Sequence, residues 1–202
     1  MVNNRKIIEG LLIFPNKECF YFVQIIQRKK DHVGVRLGGS NNNSRLIKAY
    51  YIKSLEQLDV HWEEMVKLAE LFNARVSINL NPRNFQKAAF HTMQKIANQM
   101  SNGVFDEIHK AYNSVCGEYH NEMDKRWIVD IDAEDLDKFD EILQYIQDLH
   151  SEIQNRDYNI LAVLPTKSGK HIITNPFNLA KFVEKYPKID VHKNNPVNAY
   201  IP

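Results

Sequence analysis

The sequence has little of what would commit it to several classes of protein. Its 202 residues include two cysteines, Cys19 and Cys116. Neither falls in a CxxC or other metal-ligand spacing, so free thiols in a reducing compartment are expected. A zinc site built on Cys116 and His120 would lack its remaining ligands. Long apolar runs are missing too. The longest, such as Ile160 to Pro165, fall far short of the ~20 residues that a spanning helix needs, and no secretory signal opens the sequence. A cytoplasmic protein without a membrane segment is the expectation. No repeat of the solenoid kind is visible, and neither sign of charge dominates, the net being +1.

Charge is nevertheless unevenly spread. Residues 1–50 hold nine Lys/Arg and three Asp/Glu, a balance of +6 that leaves −5 for the other 152. Such asymmetry allows a phosphate-binding face near the N-terminus, although each of these residues taken singly also fits solvated surface.

Hydrophobic patterning divides the chain into two halves, 1–120 and 121–202, expected to form one fused domain of α/β (α+β) class. Between Glu18 and Arg28 the apolar residues Phe20, Tyr21, Val23, Ile25 and Ile26 fit a short helix or a strand. Asp31 to Ser44, with Gly34, Gly38, Gly39 and three successive asparagines, reads as a long mobile loop. Arg45 to Ile52 favours a strand, and Ser54 then caps a helix with Gln57 at its third position. Leu55, Leu58, Trp62, Met65, Ala69 and Phe72 give that helix a core-facing stripe. Arg75 to Leu80 is a second strand, alternating Val76, Ile78 and Leu80 with Arg75, Ser77 and Asn79, and Pro82 stops it. A helix from about Asn84 to Met100 carries Phe85, Ala89, Met93, Ile96 and Met100 on one face, and another covers Phe105 to Val115.

In the second half, Trp127, Ile128, Val129 and Ile131 predict a buried strand whose Asp130 and Asp132 point to the same side. A helix over Leu136 to Ile153, a strand over Asn159 to Leu164, a tight turn at Thr166 to Lys170 and a paired strand from His171 to Thr174 follow. A short helix around Leu179 to Tyr186 and a last strand, Lys188 to His192, complete a βαββαβ order.

Two carboxylates side by side repel, and the pair asks for a compensating cation such as Mg2+ or Mn2+. A strand running out into the polar Ala133-Glu134-Asp135 explains the same residues equally well. The turn Lys167 to His171 suits phosphate, because glycine permits close backbone approach while Ser168, Lys170 and His171 donate hydrogen bonds. Short polar hairpin turns are common, so the turn alone specifies little. Trp62 and Trp127 are expected in the core. His91, His109, His120, His150 and His192 have no mutual spacing suited to a metal and read as surface or helix residues. Ser168 as a hydrolase nucleophile lacks its strand-turn-helix context.

Together these segments resemble the archaeo-eukaryotic primase and primase-polymerase superfamily. Its hydrophobic-Asp-hydrophobic-Asp motif is matched by Ile128-Val129-Asp130-Ile131-Asp132. Its Ser-x-His-like motif is matched by Ser168-Gly169-Lys170-His171, one residue longer than the tightest form, with Ile172 to Phe177 following. Its hydrophobic-Asp motif is matched by Ile189-Asp190. The resemblance covers the second half well and the first in outline. It implies an RRM-like βαββαβ catalytic half packed with an N-terminal α/β half. By this resemblance Asp130, Asp132 and Asp190 would be the catalytic carboxylates holding Mg2+ or Mn2+, with two ions ~4 Å apart. Ser168 and His171 would bind the triphosphate of a nucleoside triphosphate. Lys167, Lys170 and Lys193 join them on charge alone, and Arg28, Lys29, Arg45 and Lys48 are the basic residues for a single-stranded DNA or RNA template.

The implied function is a divalent-metal-dependent nucleotidyltransferase that initiates or extends strands in DNA replication, of a size suited to a phage or mobile element. The alternative is a catalytically inert nucleotide- or RNA-binding module of RRM-like fold. Aliphatics and acids stand where RNA-binding sheets expose aromatics, which argues against the RNA-binding form.

Overall fold

The computed structural model describes residues 1–28, 44–118, 125–151 and 160–202. The loop expected over 31–44 lies outside them apart from Ser44, as do Lys29, His120 and Ile153. The described chain is mixed α and β, with six α-helices and two antiparallel sheets.

The first sheet begins with β1 (Val2–Asn3), and α1 (Arg5–Glu9) leads to β2 (Cys19–Arg28). The segment that periodicity left open between helix and strand is therefore a strand. Its residues Cys19 to Val23 are all buried, because β2 pairs with β3 (Ser44–Ile52) on one side and with β4 (Arg75–Asn79) and β5 (Arg83–Asn84) on the other. A strand covered on both faces shows an unbroken apolar run instead of an alternation. Between β3 and β4 runs α2 (Leu55–Leu71), capped as expected: Gln57 N donates to Ser54 Oγ over 3.2 Å. Leu58, Met65 and Ala69 are its buried residues.

After β5 comes α3 (Phe85–Ser101), whose expected core face needs correction. Met93 is 67% exposed and Met100 51%, while Ala88 is buried and Phe85 packs against the Phe20–Phe22 cluster. Of the expected face Phe85 does pack inward, but the buried position beside it is Ala88, with Ala89, Met93 and Met100 turned outward. A 3-10 turn at Ile108–Lys110 and α4 (Ala111–Glu118) take the place of the single helix expected from Phe105.

The second sheet comes from one continuous stretch. It comprises β6 (Trp127–Ile131), a 3-10 turn at Ala133–Lys138, α5 (Phe139–Ser151), β7 (Ile160–Pro165), β8 (Lys170–Thr174), α6 (Leu179–Lys185) and β9 (Asp190–His192), in the order β7-β8-β6-β9. One face, with Val129, Ile131 and Ile172, packs under α5 and α6 through Ile142, Ile146 and Phe182. Ile128, Leu164 and Ile173 on the other face belong to the core of the first sheet. Asp130 shares that second face with Ile128, so its side chain is directed between the sheets.

The chain then returns to the first sheet, in a strand that patterning did not predict. β10 (Pro196–Ile201) lies between β1 and β4, giving the order β1-β10-β4-β2-β3 with β5 beside β2. The boundary at 120/121 thus does not coincide with the division between sheets. Two asparagines tie the sheets together. Asn4 Nδ2 donates to Pro165 O of β7 and to Asn198 O of β10, each over 2.9 Å. Asn81 accepts from Arg126 N at 2.7 Å and donates to Arg126 O and Lys193 O. Beside it the fully buried Arg83 donates to Cys116 O, Asn81 O and Asn194 Oδ1. No helix among the described residues is long and apolar enough to cross a membrane.

Candidate active site

A polar cleft of about 270 Å³ opens between the sheets. Its acidic wall follows from the pleat of β6, which sends Val129 and Ile131 to the helices and Asp130 to the cleft. Register places His171 opposite Asp130 on one side and Asp190 opposite it on the other. Directly opposed residues project from the same face. His171 Nε2 stands 3.2 Å from Asp130 Oδ1, and its Nδ1 is buried with no hydrogen-bond partner among the described residues. The imidazole is therefore engaged with a carboxylate inside the cleft. Asp132 follows in extended backbone ahead of the 3-10 turn and does not cap it. Its carboxylate lines the cleft.

The hairpin turn reaches the acidic strand because of Gly169. Thr166 N donates to Gly169 O over 3.0 Å, and Gly169 N donates back to Thr166 Oγ1 over 2.9 Å. A Cβ on Gly169 would stand 2.0 Å from Ile131 O and 3.1 Å from Asp132 Cα. The close approach that glycine permits is thus to the backbone of the Asp130–Asp132 strand. This brings Lys167 and Thr166 to the cleft beside His171.

Not every expected residue is there. Ser168 is exposed on the turn and does not line the cleft; Asp190 is exposed on β9, on the same face as Asp130 by register but outside the cleft lining. Lys170 falls on the opposite face from His171, its Nζ 4.1 Å from the centre of the Phe139 ring. Lys193 is exposed with its Nζ over Trp127, itself in the core as expected. Among the basic residues Arg28 lines the cleft, whereas Arg45 lines a separate groove of about 810 Å³ beside α3 and α4. Lys48 Nζ lies 2.5 Å from Glu64 Oε1, a hydrogen bond that raises the lysine pKa.

Several cleft residues were not among the expected site residues. Arg75 and Ser77 of β4, Asn198 of β10 and His192 of β9 all line it. The alternation of Arg75, Ser77 and Asn79 was visible, but alternation alone does not say what the polar side of a strand faces. Arg75 is only 5% exposed, because β2 and β10 flank β4 and this side forms the floor of the cleft.

Among the described residues no group of three or more His, Cys, Asp and Glu side chains is arranged to hold a metal ion. The carboxylates that line the cleft are the hard oxygen donors of Asp130 and Asp132. Such a pair fits an Mg2+ or Mn2+ ion of the sort held by one or two carboxylates and completed by water and substrate phosphate, not one caged wholly by protein. Comparison with protein-family models, curated proteins and solved structures found no match.

Proposed function

We propose that this cleft is the active site of a divalent-metal-dependent nucleotidyltransferase of primase-polymerase type, joining nucleoside triphosphates into a DNA or RNA strand. The observation that carries the reading is the meeting of Asp130 and Asp132 with Lys167, His171 and Arg28 in one cleft, drawn from segments far apart in sequence. The strand order β7-β8-β6-β9, with α5 and α6 on one face, supports an RRM-like second half, since a split βαβ unit pairs its strands in this order.

Asp130 and Asp132 would hold the ion, which lowers the pKa of an attacking 3′-hydroxyl and neutralises charge on the triphosphate. His171 holds the Asp130 carboxylate in the cleft, and Lys167 meets phosphate at its mouth. The competing RNA-binding module would expose aromatics on its sheet, whereas the second sheet has one face under helices and presents Asp130 and His171 where its other face opens to the cleft. Primer or de novo extension with labelled nucleotides and Mn2+ tests the proposal. Wild type should incorporate nucleotide, and the Asp130→Asn/Asp132→Asn double variant should lose incorporation with little change in Tm, since the amide oxygen can still accept from His171 while the carboxylate repulsion is relieved. Nucleotide bound by wild type without incorporation on any template would leave an inert binding module.

A further inference from the structure

We propose that Arg28 and Arg75 form the seat for the polyphosphate group of the nucleotide, on the wall facing the carboxylates, in place of the exposed end of the hairpin turn. The nucleotide identity rests on the reading above; the seat itself requires only a metal-bound polyphosphate. Arg75 lies opposite Ile26 across the β4–β2 pair, Arg28 is two residues further along β2, and Ser44 lies opposite Arg28. Pleat geometry therefore puts both guanidiniums on one face, as diagonal neighbours about 7–8 Å apart at Cα. Both line the cleft, with Ser77 and Asn198 beside them.

Three observations favour this wall. Arg75 lines the cleft from a central strand and is 95% removed from solvent, so its side chain is already ordered by the fold before a ligand arrives. The turn, by contrast, contributes Lys167 and His171 to the cleft but neither Ser168 nor Lys170. Finally, a triphosphate keeps net negative charge after binding one divalent ion, and a guanidinium fork matches phosphate oxygens in a bidentate manner. At about 270 Å³ the cleft falls just below the roughly 300–1,000 Å³ typical of pockets for drug-sized ligands. It has room for the phosphates with the rest of the nucleotide projecting outward.

The test is calorimetric titration of inorganic tripolyphosphate in the presence of Mn2+, with Mn2+ alone titrated in parallel. Wild type should bind tripolyphosphate, and Mn2+ should bind more tightly once it is present. Arg28→Gln and Arg75→Gln should each weaken tripolyphosphate at least tenfold. Arg75→Lys should recover part of the loss, and it carries the test with Arg28→Gln if Arg75→Gln fails to fold. Lys185→Gln, which removes a cation on α6 remote from the cleft, controls for net charge and should change affinity less than twofold. The proposal is overturned if wild type does not bind tripolyphosphate, or if Arg28→Gln and Arg75→Lys bind it as wild type does. A loss for Lys170→Gln as large as for Arg28→Gln would also overturn it, by returning the seat to the turn. Tripolyphosphate held through the arginines without nucleotide incorporation keeps the seat and removes the polymerase reading. Incorporation with an unchanged nucleotide KM in Arg28→Gln and Arg75→Lys does the reverse.

Discussion

The two walls of the cleft are built by sheets of opposite construction. The acidic wall comes from a sheet whose strands all fall within residues 127–192, two of them joined by a tight hairpin. The arginine wall comes from a sheet that gathers strands from both ends of the chain, with β10 closing it between β1 and β4. A sheet of local pairings closes short loops, whereas one that waits for its last strand depends on contacts of high sequence separation. The arginines should therefore be the more easily lost half of the site.

Ending the chain at Asn195 should have the largest effect. It removes Val197, Ala199, Tyr200 and Ile201, all buried, and exposes facing edges of β1 and β4. Fully burying one large apolar side chain contributes about 1.5–3 kcal/mol, so the loss approaches the roughly 5–15 kcal/mol by which a whole domain is stable. Cooperative thermal unfolding should disappear. Hydrogen exchange should show amide protection in β2 and β4 collapsing before that in β6 and β8. Equal protection of the two sheets would break the comparison.

Gly169→Ala acts on the other wall and should be milder. Its Cβ would meet backbone, the Ile131 carbonyl at 2.0 Å, so the turn must step back from the acidic strand. Overpacking of this kind costs about 1–3 kcal/mol, read as a lower denaturant midpoint, with nucleotide KM raised. An unchanged midpoint would mean that the turn is not held by this contact.

The smallest effect is on pH dependence, and it belongs to the first sheet. Burial pushes the Cys116 thiol from its ordinary 9.0 up to about 11, and Tyr51 and Tyr112 beside it from 10.0 to about 12. Each folded-state pKa is raised, so the folded protein holds these protons more tightly than the unfolded chain. The stability they contribute is complete below pH 9 and lost as pH rises towards 12. Urea midpoints should fall across that window, and Cys116→Ala should flatten the decline between pH 9 and 11. A profile unaltered by Cys116→Ala would remove the thiol from this account.

The same contrast explains what the sequence made legible. Every strand of the second sheet was visible because its signals are local: an apolar run ending in Asp130 and Asp132, a polar turn, a paired strand. Patterning put Lys170 in the turn and began the strand at His171, whereas the strand starts at Lys170, so the two residues alternate to opposite faces with different partners. It could not tell which apolar positions of α3 meet the fold, since Met93 and Ala88 both keep helical spacing. Arg75 was given no role for a related reason. An arginine alternating with valine marks a solvent face only at an edge or on an open sheet, and β4 is central and covered.

Neutral amides hold the frame together. Asn4 and Asn81 bridge the sheets through side-chain to backbone hydrogen bonds that carry no formal charge. The cleft, in contrast, places charged side chains, Arg28, Arg75, Lys167, Asp130 and Asp132, where a ligand would meet them. Added salt screens charges over about 8 Å at physiological strength and over about 3 Å at 1 M, but has little hold on an amide bonded to a carbonyl. Ionic strength therefore acts on occupancy without touching architecture: a rise in salt empties the cleft while leaving its two walls where they were.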